Sequence, residues 1–378
     1  MKDDETAQLD SGKLPWLPPR VLQTVIVLLI ILIGSFSWSL GRALTTPGTD
    51  SVAARVAEWG RDHGLGIVVT ASETVQYWLH PPKVGGTPAF NVLKNLSSPK
   101  VGAHTQLKSL VNPALVGEGI FQTKVYLHGQ PAVQVAYLRP DSYHTSYLAG
   151  VVWMSGSLLK LVQHPGYQDP GHLNLWSQPD TVPLSARVGL VATFNSGFKI
   201  RDSRGGFYAN KHTIGTLISG AASLIVYKDG HTNVSTWGRS VKLGPDIVSV
   251  RQNLTLIINQ GQVVVNQDNS KMVLSHWGSA ISNKYFVWRS GIGVTASGDL
   301  VYVVGDALSV HSLATLLQRA GAVRAMELDI NSGWVSYMWY TPGATSISPV
   351  PHKLVAFRRP VNGYFTLTSR DFFAVYPR

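Results

Sequence analysis

Residues 300–330 read LVYVVGDALSVHSLATLLQRAGAVRAMELDI, and this stretch decides the fold. Leu300–Val304 is a β-branched apolar run, as a buried strand requires. Ser309 is placed to cap a helix whose Leu313, Leu316, Leu317 and Ala320 follow the helical period until Gly321 stops it. Val323–Ile330 is then a second strand. Strand, helix and strand joined by short links form a crossover, which places the two strands parallel in one sheet with a common C-terminal edge. Asp306 follows the first strand, and Asp329, Asn331 and Ser332 end the second, so these side chains are expected to approach one another, at the edge where open sheets bind ligands.

Upstream, Tyr285–Thr295 is a strand that turns at Ser297-Gly298-Asp299. Lys124–Leu127, Ala132–Leu138 and Gly150–Met154 read as strands, as do Leu224–Lys228, Thr255–Asn259 and Gln262–Asn266, with hairpin turns at Asp229-Gly230 and Gln260-Gly261. Ser51–His63 is a short helix. Gly64-Leu65-Gly66 followed by Ile67-Val-Val-Thr begins a strand-like region, and Pro81-Pro82 with Gly85-Gly86 marks a loop. With 36 Gly, 21 Pro and 44% apolar residues, the expected class is α+β: mixed twisted sheets with flanking helices in one large ectodomain, preceded by a single N-terminal transmembrane helix.

That helix is Val21–Leu40, VLQTVIVLLIILIGSFSWSL, which carries no charge. At helical rise its length is about 30 Å, the thickness of a hydrocarbon core. Trp38 stands near its end as an interface anchor would, and no small-residue cleavage site is apparent. The expected organisation is a cytoplasmic tail 1–20, a signal anchor 21–40, a stalk 41–50, an N-terminal ectodomain part 51–184 and a second part 185–378. The protein would sit in the cell membrane as a single-pass chain with the large C-terminal part extracytoplasmic. Cysteine is absent, which excludes disulfides and thiolate chemistry. The net charge is +11, and residues 1–20 hold three basic against four acidic side chains, so the remainder carries +12. A basic domain attracts anionic partners such as phosphopolymers, although a high pI can equally serve solubility. The basic residues are dispersed and no nucleic-acid module is visible, so nucleic acid is not an expected partner.

Three clusters carry candidate chemistry. Along Met326-Glu327-Leu328-Asp329-Ile330, Glu327 and Asp329 share one face, roughly 6–7 Å apart along a strand. Paired carboxylates at such spacing serve glycoside hydrolysis; a solvated polar face, or an acid paired with Arg324, gives the same pattern. Asn195-Ser196-Gly197 follows the apolar run Val188–Ala192 and is either a sugar- or phosphate-binding turn or an ordinary polar turn. Arg289, inside an apolar strand and followed by Gly291 and Gly293, needs either a buried carboxylate or an anionic ligand such as phosphate. His212, beside Lys211, is a further candidate binding residue near the Asn195 turn. No metal-ligand pattern is present and no cofactor is expected, with a divalent cation bridging acids and phosphate left open.

The order Asn195-Ser196-Gly197-Phe198, then Arg289-Ser290-Gly291-Ile292-Gly293, then a helix, then Ala325–Asn331 resembles the phosphodiester glycosidase family. The approximate family pattern is N-G-G-F-F, R-T-A-I-G, a helix followed by L-G-A, and L-D-G-G-G-S-S, and the resemblance spans about residues 185–345. Ser196 replaces the middle glycine of the first motif, and the glycine run after Asp329 has become Ile330-Asn331-Ser332-Gly333-Trp334. The resemblance implies cleavage of the sugar C1–O bond in a sugar-1-phosphodiester. It assigns Asp329 to the transition state, Glu327 as supporting acid or base, Arg289 to the phosphate and Asn195 to orientation, with Asp306 a further acid. The altered loop and the aromatics Trp334, Tyr337 and Trp339 would also suit a non-catalytic glycan-binding protein on the same fold.

Overall fold

The computed structural model describes residues 18–48, 50–88, 104–265 and 286–378. Most of the expected tail, Tyr285 and Asn266 lie outside these residues. The first helix, α1 (Pro19–Thr45), has an 18-residue window of mean hydropathy 2.3 and buries none of it. It runs five residues further than the sequence suggested. What remains of the stalk folds back, because the Arg55 guanidinium gathers the carbonyls of Leu44 (3.1 Å), Thr46, Gly48 (2.9 Å) and Asp50 (2.9 Å).

Helix α2 (Val52–Asp62) is capped by Ser51, whose hydroxyl accepts from the Ala54 N–H at 3.2 Å. The expected strand after Gly64 is instead a helix, α3 (Gly66–Leu79). The β-branched run Ile67-Val68-Val69 is a short apolar segment whose period does not separate strand from helix, and the helical continuation prevails.

Three sheets follow among the described residues. The largest orders β1 (Gln122–Leu127), β2 (Gln130–Leu138), β3 (Ala149–Met154), β14 (Leu300–Leu308), β13 (Val287–Thr295), β15 (Ala322–Glu327), β11 (Leu256–Asn259) and β12 (Gln262–Val263). A second holds β17 (Val350–Lys353), β16 (Tyr337–Thr341), β5 (Ala192–Asn195), β18 (Phe372–Pro377) and β4 (Leu159–His164). A third holds β7 (His212–Ile214), β6 (Phe207–Ala209), β10 (Ile247–Gln252), β8 (Ala222–Tyr227) and β9 (Thr232–Thr236). The class is α+β, as expected, and the named pairings are antiparallel. β14 and β15 are parallel to each other, as the crossover demands, but β13 lies between them and pairs antiparallel with both. Residue 184 is no structural boundary: β3 pairs with β14 and β4 with β18. Val188–Val191 precedes strand β5 rather than forming one.

Alternation along β14 assigns its two faces. Val301 and Val303 meet the helix α5 (Val310–Arg319), which follows the one-turn helix α4 (Ile200–Ser203) in chain order. Leu300, Tyr302 and Val304 face the second sheet and pack with Phe194, Tyr337 and Phe373. Ser309 and Ser312 form a reciprocal capping box at the start of α5. Gly291 lets α5 nest on β13, since a Cβ there would lie 3.0 Å from Leu317 Cδ1.

Candidate active site

The C-terminal ends of β14 and β15 open into a cleft of about 2100 Å³, whose floor includes Asp306, Asp329–Trp334, Asn253, Lys199 and Arg370. The loop after β15 is fixed from below. Leu328 N–H donates to the Ser290 carbonyl at 2.8 Å, and Ser290 N–H donates to the Asp329 carbonyl at 3.0 Å. Ser290 Oγ accepts from Asp329 N–H at 3.2 Å and from Asn195 Nδ2 at 2.9 Å. The three sequence clusters therefore converge through Asn195, Ser290 and the backbone of Asp329.

Asn195 itself is sealed. Its Nδ2 also donates to the Ser196 carbonyl at 2.8 Å, and its Oδ1 accepts from the Tyr302 hydroxyl (2.8 Å) and Ser336 N–H (3.0 Å). With donors and acceptor used internally, it positions the Asp329 loop and does not line the cleft.

The Asp329 carboxylate is buried but faces the cleft. Oδ1 accepts from Ile330 N–H at 2.7 Å and Asn331 N–H at 2.8 Å, while Oδ2 lies 3.5 Å from Arg370 Nη2. Burial pushes its pKa above the usual carboxylate range, against Arg370, the two N–H donors and Arg251. Asp306 also lines the cleft, and its pKa too is raised by burial. Asn331 lines the cleft, its Oδ1 accepting from Gly333 N–H at 2.8 Å.

Other sequence candidates lie elsewhere. Arg289 is fully buried, donates through Nη1 to Glu327 Oε1 at 2.6 Å and through Nε to the Leu308 carbonyl at 2.8 Å, and does not line the cleft. Glu327, 1% exposed, is its partner; it is not a second acid facing the cleft beside Asp329. An arginine in an apolar strand had two solutions, and the neighbouring strand supplies the carboxylate. Arg324 pairs with neither acid; it donates to the Val234 carbonyl (2.7 Å) and Asn233 Oδ1 (2.8 Å). Gly293 serves packing, since a Cβ there would lie 2.7 Å from the Ala322 Cβ. Gly197 is absent from the cleft lining but accepts at its carbonyl from Arg370 Nη2 at 3.1 Å. His212 is exposed on β7 and outside the cleft. Of the three aromatics, Trp334 lines the cleft with Arg370 4.9 Å above its ring, Tyr337 is fully buried, and Trp339 is half-buried against His352.

Arg370 and Lys199, two of the cations that line the cleft, were passed over by sequence reasoning. Arg370 enters just before β18, where a lone Ser-Arg-Asp carries no recognisable pattern; its Nε is buried without a hydrogen-bond partner among the described residues and lies 3.8 Å from Asp169 Oδ2. Lys199 follows the Asn195 turn, where a longer reading of that motif could have found it. Burial pushes Lys199 down to about 7, helped by Arg370 and Arg201 and opposed by Asp202 and Asp329. Its Nζ contacts the Glu58 carboxylate of α2, so the position already accepts an anionic oxygen. Asn253, 1% exposed, donates to the Glu327 (2.7 Å) and Leu328 (2.8 Å) carbonyls and keeps Oδ1 unpartnered among the described residues. Among the described residues, no group of three or more His, Cys, Asp or Glu side chains could hold a metal ion.

The family model for phosphodiester glycosidases matches residues 188–361, which run from just before β5 to beyond β17 and include the Asp329 loop. Over these residues the chain is similar to the phosphodiester glycosidase family. Among solved structures, the catalytic domain of zebrafish N-acetylglucosamine-1-phosphodiester alpha-N-acetylglucosaminidase, auto-inhibited by its pro-peptide, is similar at 12% identity and TM-score 0.41, over 79% of this chain and 97% of that one. A hypothetical protein from Synechocystis is similar at 13% identity and TM-score 0.36, over 74% of this chain and 69% of that one. No curated protein sequence matches the chain.

Proposed function

We propose that the chain is a membrane-anchored, extracytoplasmic hydrolase that cleaves the glycosidic bond of a sugar-1-phosphodiester or a phosphate-linked envelope glycan. The observation that supports this most is the Asp329 carboxylate at the cleft floor with Arg370 beside it and Lys199 in the same lining. In hydrolysis a water oxygen bonds to C1 and the C1–O bond breaks. Its electron pair leaves with the phosphate oxygen, and the water gives up one proton while the other stays on oxygen as the C1 hydroxyl of the free sugar, so that free sugar and phosphomonoester form. The phosphomonoester is a good leaving group, so the main demand is to stabilise an oxocarbenium-like centre, which a carboxylate meets. Asp329 takes that task, held in place by its Ile330 and Asn331 N–H donors.

Arg370 and Lys199 receive the phosphate, a role that Arg289 is too deeply buried to fill. Asp306, with its raised pKa, is the second acid, available to move a proton. Helix α1 is long and apolar enough to cross a membrane, which supports the anchor. The test is release of reducing sugar from a synthetic sugar-1-phosphodiester by the full chain in detergent. Release by the parent and none by Asp329→Asn is the expected result; binding without turnover by the parent would favour a glycan-binding protein on this fold.

A further inference from the structure

Helix α3 presents an apolar face to solvent. Ile67, Val68, Val75, Trp78 and Leu79 are 85%, 63%, 57%, 78% and 70% exposed. At the helical repeat these residues and the exposed Ala71 fall within about 120° of arc, and none is polar. The opposite side is the one that packs: Val69 lies against Gly60 of α2, and the Tyr77 hydroxyl accepts from Phe286 N–H at 3.2 Å. A water-facing helix shows the reverse arrangement, and soluble surfaces rarely leave so large an apolar patch uncovered.

Helix α2 links α3 to the anchor. Phe36 of α1 packs edge-on against Trp59 of α2 at 4.7 Å, and Ser39 of α1 bonds Trp59 Nε1 and His63, each at 2.9 Å. α2 in turn packs on α3. The aromatics Trp38 (71% exposed) on α1 and Trp78 on α3 are the residue type that settles at a membrane–water boundary. Exposed Lys83 follows α3 as a cation for anionic headgroups.

We propose that α3 is an interfacial helix, its apolar face seated at the headgroup–acyl boundary of the bilayer that α1 crosses. Because Val69, Ser72 and Tyr77 of α3 line the cleft, this seating holds that wall of the cleft at the membrane surface. The proposal rests on reading α1 as a membrane span.

The cysteine-free chain permits a direct test. Single cysteines at Ile31→Cys, Ile67→Cys, Val75→Cys and Val188→Cys are labelled with an environment-sensitive fluorophore, and the full chain is placed in anionic phospholipid vesicles. Val188 is exposed and lies upstream of β5, away from the cleft. The expected result is fluorescence loss to shallow lipid-borne nitroxides at positions 67 and 75, to deep ones at position 31, and to neither at position 188. If 31 is quenched by lipid while 67 and 75 respond like 188 to aqueous iodide, the interfacial seating is overturned and the anchor stands. Shielding of 67 and 75 from both quenchers means that protein covers the face, and also overturns it. If 31 escapes lipid quenching, the anchor reading fails, and the seating of α3 in the bilayer that α1 crosses is overturned with it.

Discussion

Replacing Arg289 by Met isolates the correction that the structure makes to the sequence-based site. Met keeps most of the aliphatic volume but strands the Glu327 carboxylate, whose Oε1 receives Nη1 at 2.6 Å and whose Oε2 has no hydrogen-bond partner among the described residues. Removing one partner of a buried pair costs about 3–5 kcal/mol, which corresponds to a fall in Tm of about 5–15 °C. Burial already raises the Glu327 pKa and Arg289 restrains it, so the variant raises it further. A carboxyl whose folded pKa lies above its unfolded value stabilises the fold at low pH and loses that contribution as pH rises. The penalty in Arg289→Met is therefore largest at neutral and alkaline pH and shrinks toward the unfolded glutamate pKa of about 4.3. Urea unfolding of the full chain in detergent, followed by tryptophan fluorescence, reads the loss. The double variant Arg289→Met/Glu327→Leu should recover most of it and retain affinity for a phosphomonoester. A single variant within about 1 kcal/mol of the parent that loses phosphate affinity would refute the reasoning, because it would make Arg289 a ligand-binding residue.

Asp329→Asn should lower kcat by about 10²–10⁴-fold with little change in Tm, read by sugar release and thermal unfolding. Arg370→Gln removes a charged partner from both Asp329 and the phosphate, and should weaken phosphomonoester binding by about 10- to 100-fold in calorimetry. Phosphomonoester affinity should fall as pH rises through about 7, where Lys199 loses its proton, and Lys199→Gln should flatten that dependence. Ser309→Ala breaks the capping box of α5 and should cost about 1 kcal/mol in urea unfolding without affecting turnover.

What the sequence made legible was local. Ser309, the leucine period and Gly321, whose φ of 96° favours glycine, mark the ends and face of α5 without reference to anything distant. The turns Asp229-Gly230 and Gln260-Gly261 do stand between antiparallel partners, β8 and β9 and β11 and β12, although β9 was not itself read from the sequence. α3 was misread because Ile67-Val68-Val69 satisfies both strand and helix. The site was legible only in part. Asp329 could be placed because the crossover fixes the edge at which β15 ends. Arg289 could not, since its choice between a carboxylate and a ligand depends on β15 lying beside β13. Arg370 was invisible for the same reason: it reaches Asp329 from just before β18, a strand of another sheet.

Hydrolysis of a sugar-1-phosphodiester by the full chain in ¹⁸O-labelled water, with both products weighed by mass spectrometry, tests the central claim most directly. Attack at C1 places the heavy oxygen in the free sugar and leaves the phosphomonoester unlabelled. Heavy oxygen in the phosphomonoester would mean that water attacks phosphorus, and Asp329 would then have no oxocarbenium centre to stabilise.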